Sequence, residues 1–148
     1  MKLRARVFEV ALVGHANVAG EADSWLAPII APLRSEVRER VELAVSELVD
    51  NAFRHGYLGR SGGTIRLRIT VGQDRVIGQV EDEGSGAVQL SEPLSPPGPD
   101  ARDGRGLYIV HQISDHVRIH NSLLGGTSVE VEFRRPGGHG GRPGPAGA

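Results

Sequence analysis

The chain has 148 residues, a length that fits one domain with one hydrophobic core. Apolar residues make up 39% and aromatic residues only 4%, so the core is expected to consist of Val, Leu, Ile and Ala. A formal net charge of -1 gives no overall attraction to nucleic acid or to an anionic membrane, and the lack of cysteine excludes disulfides and thiolate metal sites. Without an apolar leader or a run of ~18 apolar residues, the sequence predicts a soluble cytoplasmic protein.

The first part of the chain predicts a strand followed by two helices. Residues 3–13 mix alternation with a short apolar run and indicate a strand, which Gly14 ends. A helix is expected over residues 18–33, where Pro28 and Pro32 each remove a backbone donor and should kink the helix or end it early. The second helix, over residues 36–55, is the clearest element because its apolar residues recur at helical spacing. Gly56 is expected to cap it.

The second part predicts four strands and one more helix. Residues 64–71 and 74–82 alternate and indicate two strands joined at Gly72-Gln73, and strands are also expected over residues 116–121 and 127–133. A helix is expected over residues 106–114. The segment from about residue 87 to residue 103 contains four prolines and is too long for an ordinary connection, so it is either disordered or a functional lid.

These elements predict an α+β fold. Consecutive strands on short turns favour antiparallel pairing, so we expect a two-layer α/β sandwich with a mostly antiparallel, mixed sheet and its helices on one face. The domain is expected to span residues 1–135. From residue 136 to residue 148 the chain is mostly Gly and Pro, which predicts a disordered tail.

A first group of chemically capable residues lies on the second predicted helix. Glu47, Asn51 and His55 are spaced four residues apart and should share one face. Glu47 and Asn51 are expected at the margin of the apolar stripe, neither buried nor opposite to it. A carboxylate at that position can accept a proton, and an amide oxygen can bind Mg²⁺. The alternative is that these are solvated residues of an amphipathic helix.

A second group follows the third predicted strand, in the sequence Asp82-Glu83-Gly84-Ser85-Gly86. An ionised Asp82 only accepts hydrogen bonds, which suits a donor such as an exocyclic amino group. Gly84 and Gly86 allow close backbone approach. The alternative is a plain acidic turn.

A third group opens the last predicted helix, in the sequence Gly104-Arg105-Gly106-Leu107. The free backbone N–H groups and the dipole at a helix start attract phosphate, and Arg105 could add charge-assisted hydrogen bonds. The alternative is a glycine turn with solvated arginines. All three groups lie at the ends of elements, and together they favour a nucleotide site.

The three groups resemble the motifs of GHKL (Bergerat-fold) ATPases, and within them the anti-sigma factor serine/threonine-protein kinases. Residues 47–57 resemble the N-box of that family, Asp82 to Gly86 its D-x-G-x-G box, and Gly104 to Leu107 its next glycine box. Gly126-Thr127 resembles the final G-T box. The resemblance extends in order from about residue 18 to residue 133. The proline-rich segment, the helix prolines and the tail depart from the family pattern.

The resemblance implies ATP and Mg²⁺ as ligands and a role for each residue. Glu47 would be the general base that activates the attacking hydroxyl, Asn51 would hold Mg²⁺, and Asp82 would accept the adenine amino group with Thr127 nearby. Residues 87–103 would form the ATP lid. The further nucleotide-binding residues would be His55, Gly84, Gly86, Gly104, Arg105, Gly106 and Leu107.

The resemblance also implies a function. The protein would hold a sigma factor inactive, phosphorylate a serine or threonine of a STAS-type anti-anti-sigma factor, and form a homodimer that contacts neither nucleic acid nor membrane. One alternative is a non-catalytic ATP-binding switch that acts by sequestration alone, which would not need the base Glu47. A histidine-kinase catalytic domain is a further alternative, disfavoured because no helical hairpin with a phospho-acceptor histidine precedes the domain. A small chaperone-like ATPase would need additional domains.

Overall fold

The helices and strands follow the predicted order. The computed structural model describes residues 4–84, 105–121 and 125–136. Its elements are β1 (Arg6–Val13), α1 (Val18–Ile30), α2 (Ser35–Asn51), a π-helical turn (Ala52–Gly56), β2 (Thr64–Val71), β3 (Arg75–Asp82), α3 (Arg105–Ile113), β4 (His116–Asn121) and β5 (Thr127–Arg134). The expected lid over residues 87–103 and nearly all of the expected tail lie outside the described residues.

The strands form one sheet in the order β1-β2-β3-β5-β4. Every pairing among these five strands is antiparallel, where the sequence allowed a mixed sheet. β1, β2 and β3 lie side by side in this order, whereas β5 pairs with β3 and leaves β4 at the edge. The predicted α+β class is confirmed.

The core lies between the sheet and the helices. Alternate residues of the central strands point to this side, so β2 buries Ile65, Leu67 and Ile69 against the apolar stripe of α2. Each such side chain contributes roughly 1.5–3 kcal/mol by leaving water. The opposite face of the sheet carries charged cross-strand pairs, such as Glu9 with Arg68 at 2.6 Å. The apolar core therefore lies on the face of the sheet that the helices cover.

α1 ends early, as its prolines predict. It stops at Ile30 instead of residue 33, with Pro28 exposed inside its last turn. A hydrogen bond from the Leu33 N–H to the Ile30 carbonyl closes the following turn at 2.9 Å. Pro28 removes one backbone donor from this end of the helix, so the helix is already weakened where it stops.

α2 is shorter than predicted because its last turn is not α-helical. The helix is regular only to Asn51 and continues as the π-helical turn, in which the Tyr57 N–H bonds the Ala52 carbonyl at 3.0 Å. A π-turn holds an extra residue per turn, so it interrupts the helical periodicity. The prediction that His55 shares a face with Glu47 and Asn51 assumed an unbroken α-helix, and the π-helical turn changes the angle at which His55 follows Asn51.

The remaining differences in boundaries are small. β1 begins at Arg6 instead of residue 3, β3 at Arg75 instead of 74, and α3 spans Arg105–Ile113 instead of residues 106–114. The Gly72-Gln73 turn is closed by a hydrogen bond from the Gly72 N–H to the Arg75 carbonyl at 2.9 Å. In the part of the chain that the structure describes, none of the helices has the length and apolar character needed to cross a membrane.

Candidate functional site

Glu47 and Asn51 lie on the side of α2 that faces α3. Glu47 is half-buried, but Asn51 is only 6% exposed, which corrects the expectation that both lie at an open margin. Among the residues that the structure describes, the Asn51 Nδ2 is buried without a hydrogen-bond partner. A buried polar group left unpaired costs about 1–3 kcal/mol, so this amide is a candidate for contact with a ligand.

Gly106 brings the start of α3 against these two side chains. A Cβ atom added at Gly106 would overlap Oε1 of Glu47 and would lie 3.8 Å from Oδ1 of Asn51. Glycine therefore allows this approach without displacing the Glu47 carboxylate. This contact places the first turn of α3 beside the carboxylate and the amide. Backbone N–H groups in that turn have no partner within the helix, and the helix dipole is positive there. That arrangement suits an anion such as phosphate.

The carboxyl group of Glu47 is tuned by its surroundings. Partial burial raises its pKa, and the negative charge of Asp50 raises it further, whereas the positive charge of Arg54 lowers it. Asp50 and Arg54 form an ion pair at 3.2 Å one turn along the helix. A carboxyl group with a raised pKa is a stronger proton acceptor once it is ionised, which is the property a general base needs.

Asp82 ends β3 on the buried side of the sheet. It is 8% exposed, and its Oδ1 accepts a hydrogen bond from the Gly84 N–H at 2.9 Å. Burial raises its pKa, while the backbone N–H groups of Gly84 and Thr127 stabilise the charged form and oppose that shift. The carboxylate thus remains an acceptor in a mostly apolar setting.

Two glycines fix the position of this carboxylate. A Cβ atom added at Gly56, in the π-helical turn, would lie 2.6 Å from the Asp82 carboxylate. One added at Gly84 would overlap the Gly56 carbonyl oxygen. Glycine at position 84 is therefore required by backbone packing against the π-helical turn, a close backbone approach of the kind expected for this residue.

A small pocket lies between Asp82 and the contact of α2 with α3. Thr127 is buried beside Asp82, its partner in the β3–β5 register, and its Oγ1 donates to Oδ1 of Asn121 at 2.9 Å. Apolar walls with a few convergent polar groups are typical of small-molecule sites, but the space enclosed here is about 10 Å³, room for about one water. Its lining consists of Leu48, Asn51, Ala52, Val80, Asp82, Leu107, Thr127 and Val129.

Several residues of this pocket were missed by sequence reasoning. Val80 and Val129 lie two residues from Asp82 and Thr127 on the same strands, so strand alternation places them on the same face. Leu48 follows Glu47 and belongs to the apolar stripe. That alternation and that stripe were readable in the sequence, and they would have found all three.

Tyr57 was also missed. Its hydroxyl donates to the Thr64 carbonyl at 2.5 Å and accepts from the Glu83 N–H at 2.8 Å. Its ring fills the space where a Cβ atom of Gly63 would lie. The side chain thus ties the π-helical turn to the start of β2 and to the residue that follows Asp82.

The structure brings most of the predicted site residues together. Glu47, Asn51 and Gly106 meet between α2 and α3, while Asp82, Gly84, Leu107 and Thr127 meet around the pocket and the end of β3. His55 is half-buried in the π-helical turn, and Arg105 is the first residue of α3. Gly86 and Gly104 lie outside the described residues.

The donors at this site fit a hard cation held by few protein ligands. Within the described residues no group of three or more His, Cys, Asp or Glu side chains could hold a metal ion. Mg²⁺ is commonly bound through one or two protein oxygens, with substrate phosphates and waters completing its shell. The Asn51 amide, beside the anion-favouring start of α3, fits that mode of binding.

The fold and the site together are typical of ATP-binding domains of the histidine-kinase type. The sequence pattern of the family described as the histidine kinase-like ATPase domain matches residues 11–133. The chain is 34% identical over 106 residues to an Anti-sigma F factor of Priestia megaterium, covering 68% of this chain and 71% of that protein. It is 31% identical over 105 residues to an Anti-sigma F factor of Clostridium beijerinckii, covering 68% and 73%.

The chain therefore belongs to the histidine kinase-like ATPase domain family. A crystal structure of RsbU and RsbW domains from Mycobacterium tuberculosis has the same fold, with a TM-score of 0.65 and 22% sequence identity. That match covers 87% of this chain and 32% of the other, so the chain spans about a third of that longer protein.

Proposed function

We propose that this protein is an ATP-dependent protein serine/threonine kinase that also holds a sigma factor inactive. Its phosphoryl acceptor would be a STAS-type anti-anti-sigma factor. The half-buried carboxylate of Glu47 beside the start of α3 is the observation that carries the proposal, because a protein that only binds ATP has no need of a base there. The similarity to proteins named Anti-sigma F factor supports the sigma-factor half.

In this proposal ATP lies across the site from the pocket to α3. The adenine would lie at the pocket, which encloses only about 10 Å³ and would have to widen to admit it, and would donate its amino hydrogen to Asp82, with Thr127 nearby. The phosphates would lie at the N-terminus of α3, and Asn51 would hold Mg²⁺, which would neutralise charge on the phosphates. The other proposed nucleotide contacts are His55, Gly84, Gly86, Gly104, Arg105, Gly106 and Leu107.

The transfer step then needs one proton acceptor. The hydroxyl oxygen of the acceptor serine or threonine attacks the γ-phosphorus, and the bond from that phosphorus to the bridging β–γ oxygen breaks. ADP leaves with the electrons of that bond, and the hydroxyl proton passes to the Glu47 carboxylate. Most of the rate enhancement in such a reaction comes from positioning and charge stabilisation, and the base adds to it.

The remaining parts of the proposal come from the sequence and the family resemblance. They are a homodimer in the cytoplasm, with residues 1–135 as the ATPase domain, residues 87–103 as its lid and residues 136–148 as a tail.

Phosphoryl transfer to a STAS protein encoded beside this one is the direct test. With ATP labelled at the γ-phosphate, Glu47→Gln should lower the transfer rate about 10²- to 10⁴-fold, the usual contribution of a general base. Its affinity for ATP should stay within about twofold of wild type. The control is Glu42→Gln, at an exposed carboxylate of the same helix, whose transfer rate and affinity for ATP should both stay within about twofold. If the wild type labels no such protein while still binding ATP, the kinase assignment is wrong and sequestration alone becomes the function.

A further inference from the structure

Leu43 is an exposed apolar residue next to the proposed base. Its side chain is 42% exposed, and it precedes Glu47 by four residues on α2. Side chains at that spacing are neighbours on the helix surface, with Cβ atoms roughly 5–6 Å apart. The other exposed large apolar side chains of the described residues are Val7 and Val13 on β1 and Leu58 beyond the π-helical turn. Among these four, Leu43 is the one beside Glu47.

The packing of α2 on α3 places a second apolar residue beside it. Gly106 lies against Glu47, and seven residues further on the Ile113 carbonyl accepts a hydrogen bond from Arg40 at 3.4 Å. The two helices therefore run antiparallel, and Ile109 falls opposite Leu43, midway between these contacts. Ile109 shares the α2-facing side of α3 because it is three residues after Gly106 and four before Ile113. We call Leu43 and the half-buried Ile109 the α2–α3 patch.

The surroundings of the α2–α3 patch are acidic. α2 carries five acidic residues against two arginines; Glu39 is exposed one turn before Leu43, and Glu47 lies one turn after it. Arg40 is already engaged, because its guanidinium donates to the carbonyls of Glu36 and Ile113. Bound triphosphate would add further negative charge at the adjacent end of α3. Such a surface attracts a partner that is basic around its contact point.

We infer that the α2–α3 patch is the docking site of the phosphoryl-acceptor protein. This inference rests on the proposed kinase function. A general base must come within about 2.6–3.2 Å of the hydroxyl that it deprotonates. A folded protein that delivers its hydroxyl to Glu47 must therefore cover the residue one helical turn away. The acceptor would carry an aliphatic side chain next to its phosphorylated residue to pack on Leu43 and Ile109, and basic residues around that side chain to face Glu39.

The proposed role of the patch is to set the affinity for the acceptor protein and not the rate of phosphoryl transfer in the bound complex. Burying an aliphatic side chain in a contact excludes water from it, and such central apolar anchors carry much of the binding energy of protein interfaces. A charge introduced there would be buried unpaired against a similar apolar surface. The bound complex, once formed, would still have Glu47 and ATP in place.

Steady-state transfer by Leu43→Glu tests the inference. We expect the KM for the acceptor protein to rise by about tenfold or more, with kcat at saturating acceptor and the Kd for ATP within about twofold of wild type. Leu43→Ala, which keeps the helix and removes only the aliphatic contact, should raise KM in the same direction by a smaller factor. Leu58→Glu is the matched control, because Leu58 is 55% exposed but lies away from α2, and its KM should not change.

The outcomes separate the inference from the function on which it rests. If the wild type transfers no phosphate, the proposed kinase and this inference fall together. If the wild type transfers phosphate and both Leu43 variants keep its acceptor KM, the docking assignment is wrong while the kinase stands. If Leu43→Glu instead weakens self-association or sigma-factor retention and leaves the acceptor KM unchanged, the patch serves that other partner and the inference is overturned.

Discussion

Replacing Asp82 by asparagine removes a charged acceptor from the pocket while keeping its shape. The carboxylate is 8% exposed, and one of its oxygens already accepts from the Gly84 N–H at 2.9 Å. The Thr127 N–H contributes a further backbone hydrogen bond. The oxygen of asparagine can keep one of these bonds. Its NH₂ group must then face either the second backbone N–H or the amino group of a bound adenine, and each of these is also a donor.

The expected loss of affinity follows from the hydrogen bond that is removed. A hydrogen bond to a charged group contributes about 1.5–3 kcal/mol, and 1.4 kcal/mol corresponds to a factor of ten. The Kd for ATP should therefore rise about 10- to 150-fold, with the larger value favoured by the apolar walls of Leu48, Val80 and Val129.

Unfolding would not explain such a loss. Burial raises the pKa of Asp82, so the folded protein binds this proton more tightly than the unfolded chain does. Ionisation of Asp82 therefore costs the folded state stability. This cost is absent below the ordinary pKa of the unfolded chain, and it develops as the pH rises from that pKa to the raised pKa of the folded protein. At neutral pH a neutral side chain at this position avoids that cost, which offsets part of the hydrogen bond lost at the second backbone N–H, so the ligand-free variant should remain folded at the temperature of the titration.

Calorimetric titration with ATP measures the change. The matched control is Glu83→Gln at the next residue, whose exposed carboxylate pairs with Arg66 at 2.6 Å. This control should bind ATP within about twofold of wild type. An Asp82→Asn variant that melts normally and binds ATP as wild type does would refute the assignment of the pocket to adenine.

Three further predictions concern the surroundings of the two carboxylates. Asp50→Asn should lower the pKa of Glu47 by removing a neighbouring negative charge, so the acid limb of the pH–rate profile for phosphotransfer should move to lower pH; an unmoved limb would argue against Glu47 as the base. Gly106→Ala should displace the Glu47 carboxylate and lower kcat more than ATP affinity, and unchanged kinetics would contradict the close packing of α3. Tyr57→Phe loses two hydrogen bonds to the backbone and should destabilise the fold by about 1–3 kcal/mol in chemical denaturation, with weaker ATP binding, whereas an unaltered midpoint would show that these bonds contribute nothing net.

The strands were predictable because their signals are local. The bounds of β2 and β4 match the expectation from the sequence to the residue, since both alternate strictly. The early end of α1 follows from its prolines in the same way. The π-helical turn was not predictable, because it depends on contacts between distant segments. The Tyr57 side chain reaches Thr64 and Glu83, and Gly56 packs against Asp82.

The residues that meet at the candidate site were predictable from the sequence, but their burial was not. Motif residues such as Glu47 and Asp82 were identified from their type and spacing. The helical wheel of α2 treats the sheet as the only partner of that helix, so it placed Asn51 at an open margin. α3 covers that margin, and its position follows from the sheet order and from the contact of Gly106 with Glu47. A pattern confined to one helix carries no information about that second neighbour.

The two halves of the site are built in the same way but differ in the groups that surround each carboxylate. In each half a glycine lets backbone come against a carboxylate, Gly106 at Glu47 and Gly56 at Asp82, and the resulting burial raises both pKa values. At Asp82 backbone N–H groups favour the ionised form, as a permanent acceptor for an amino group requires. At Glu47 burial is the largest cause of the raised pKa, and the charges of Asp50 and Arg54 oppose each other beside it. Both carboxyl groups therefore have a raised pKa, and position separates their proposed roles: Glu47 lies beside the start of α3, whereas Asp82 lies at the pocket among backbone N–H donors.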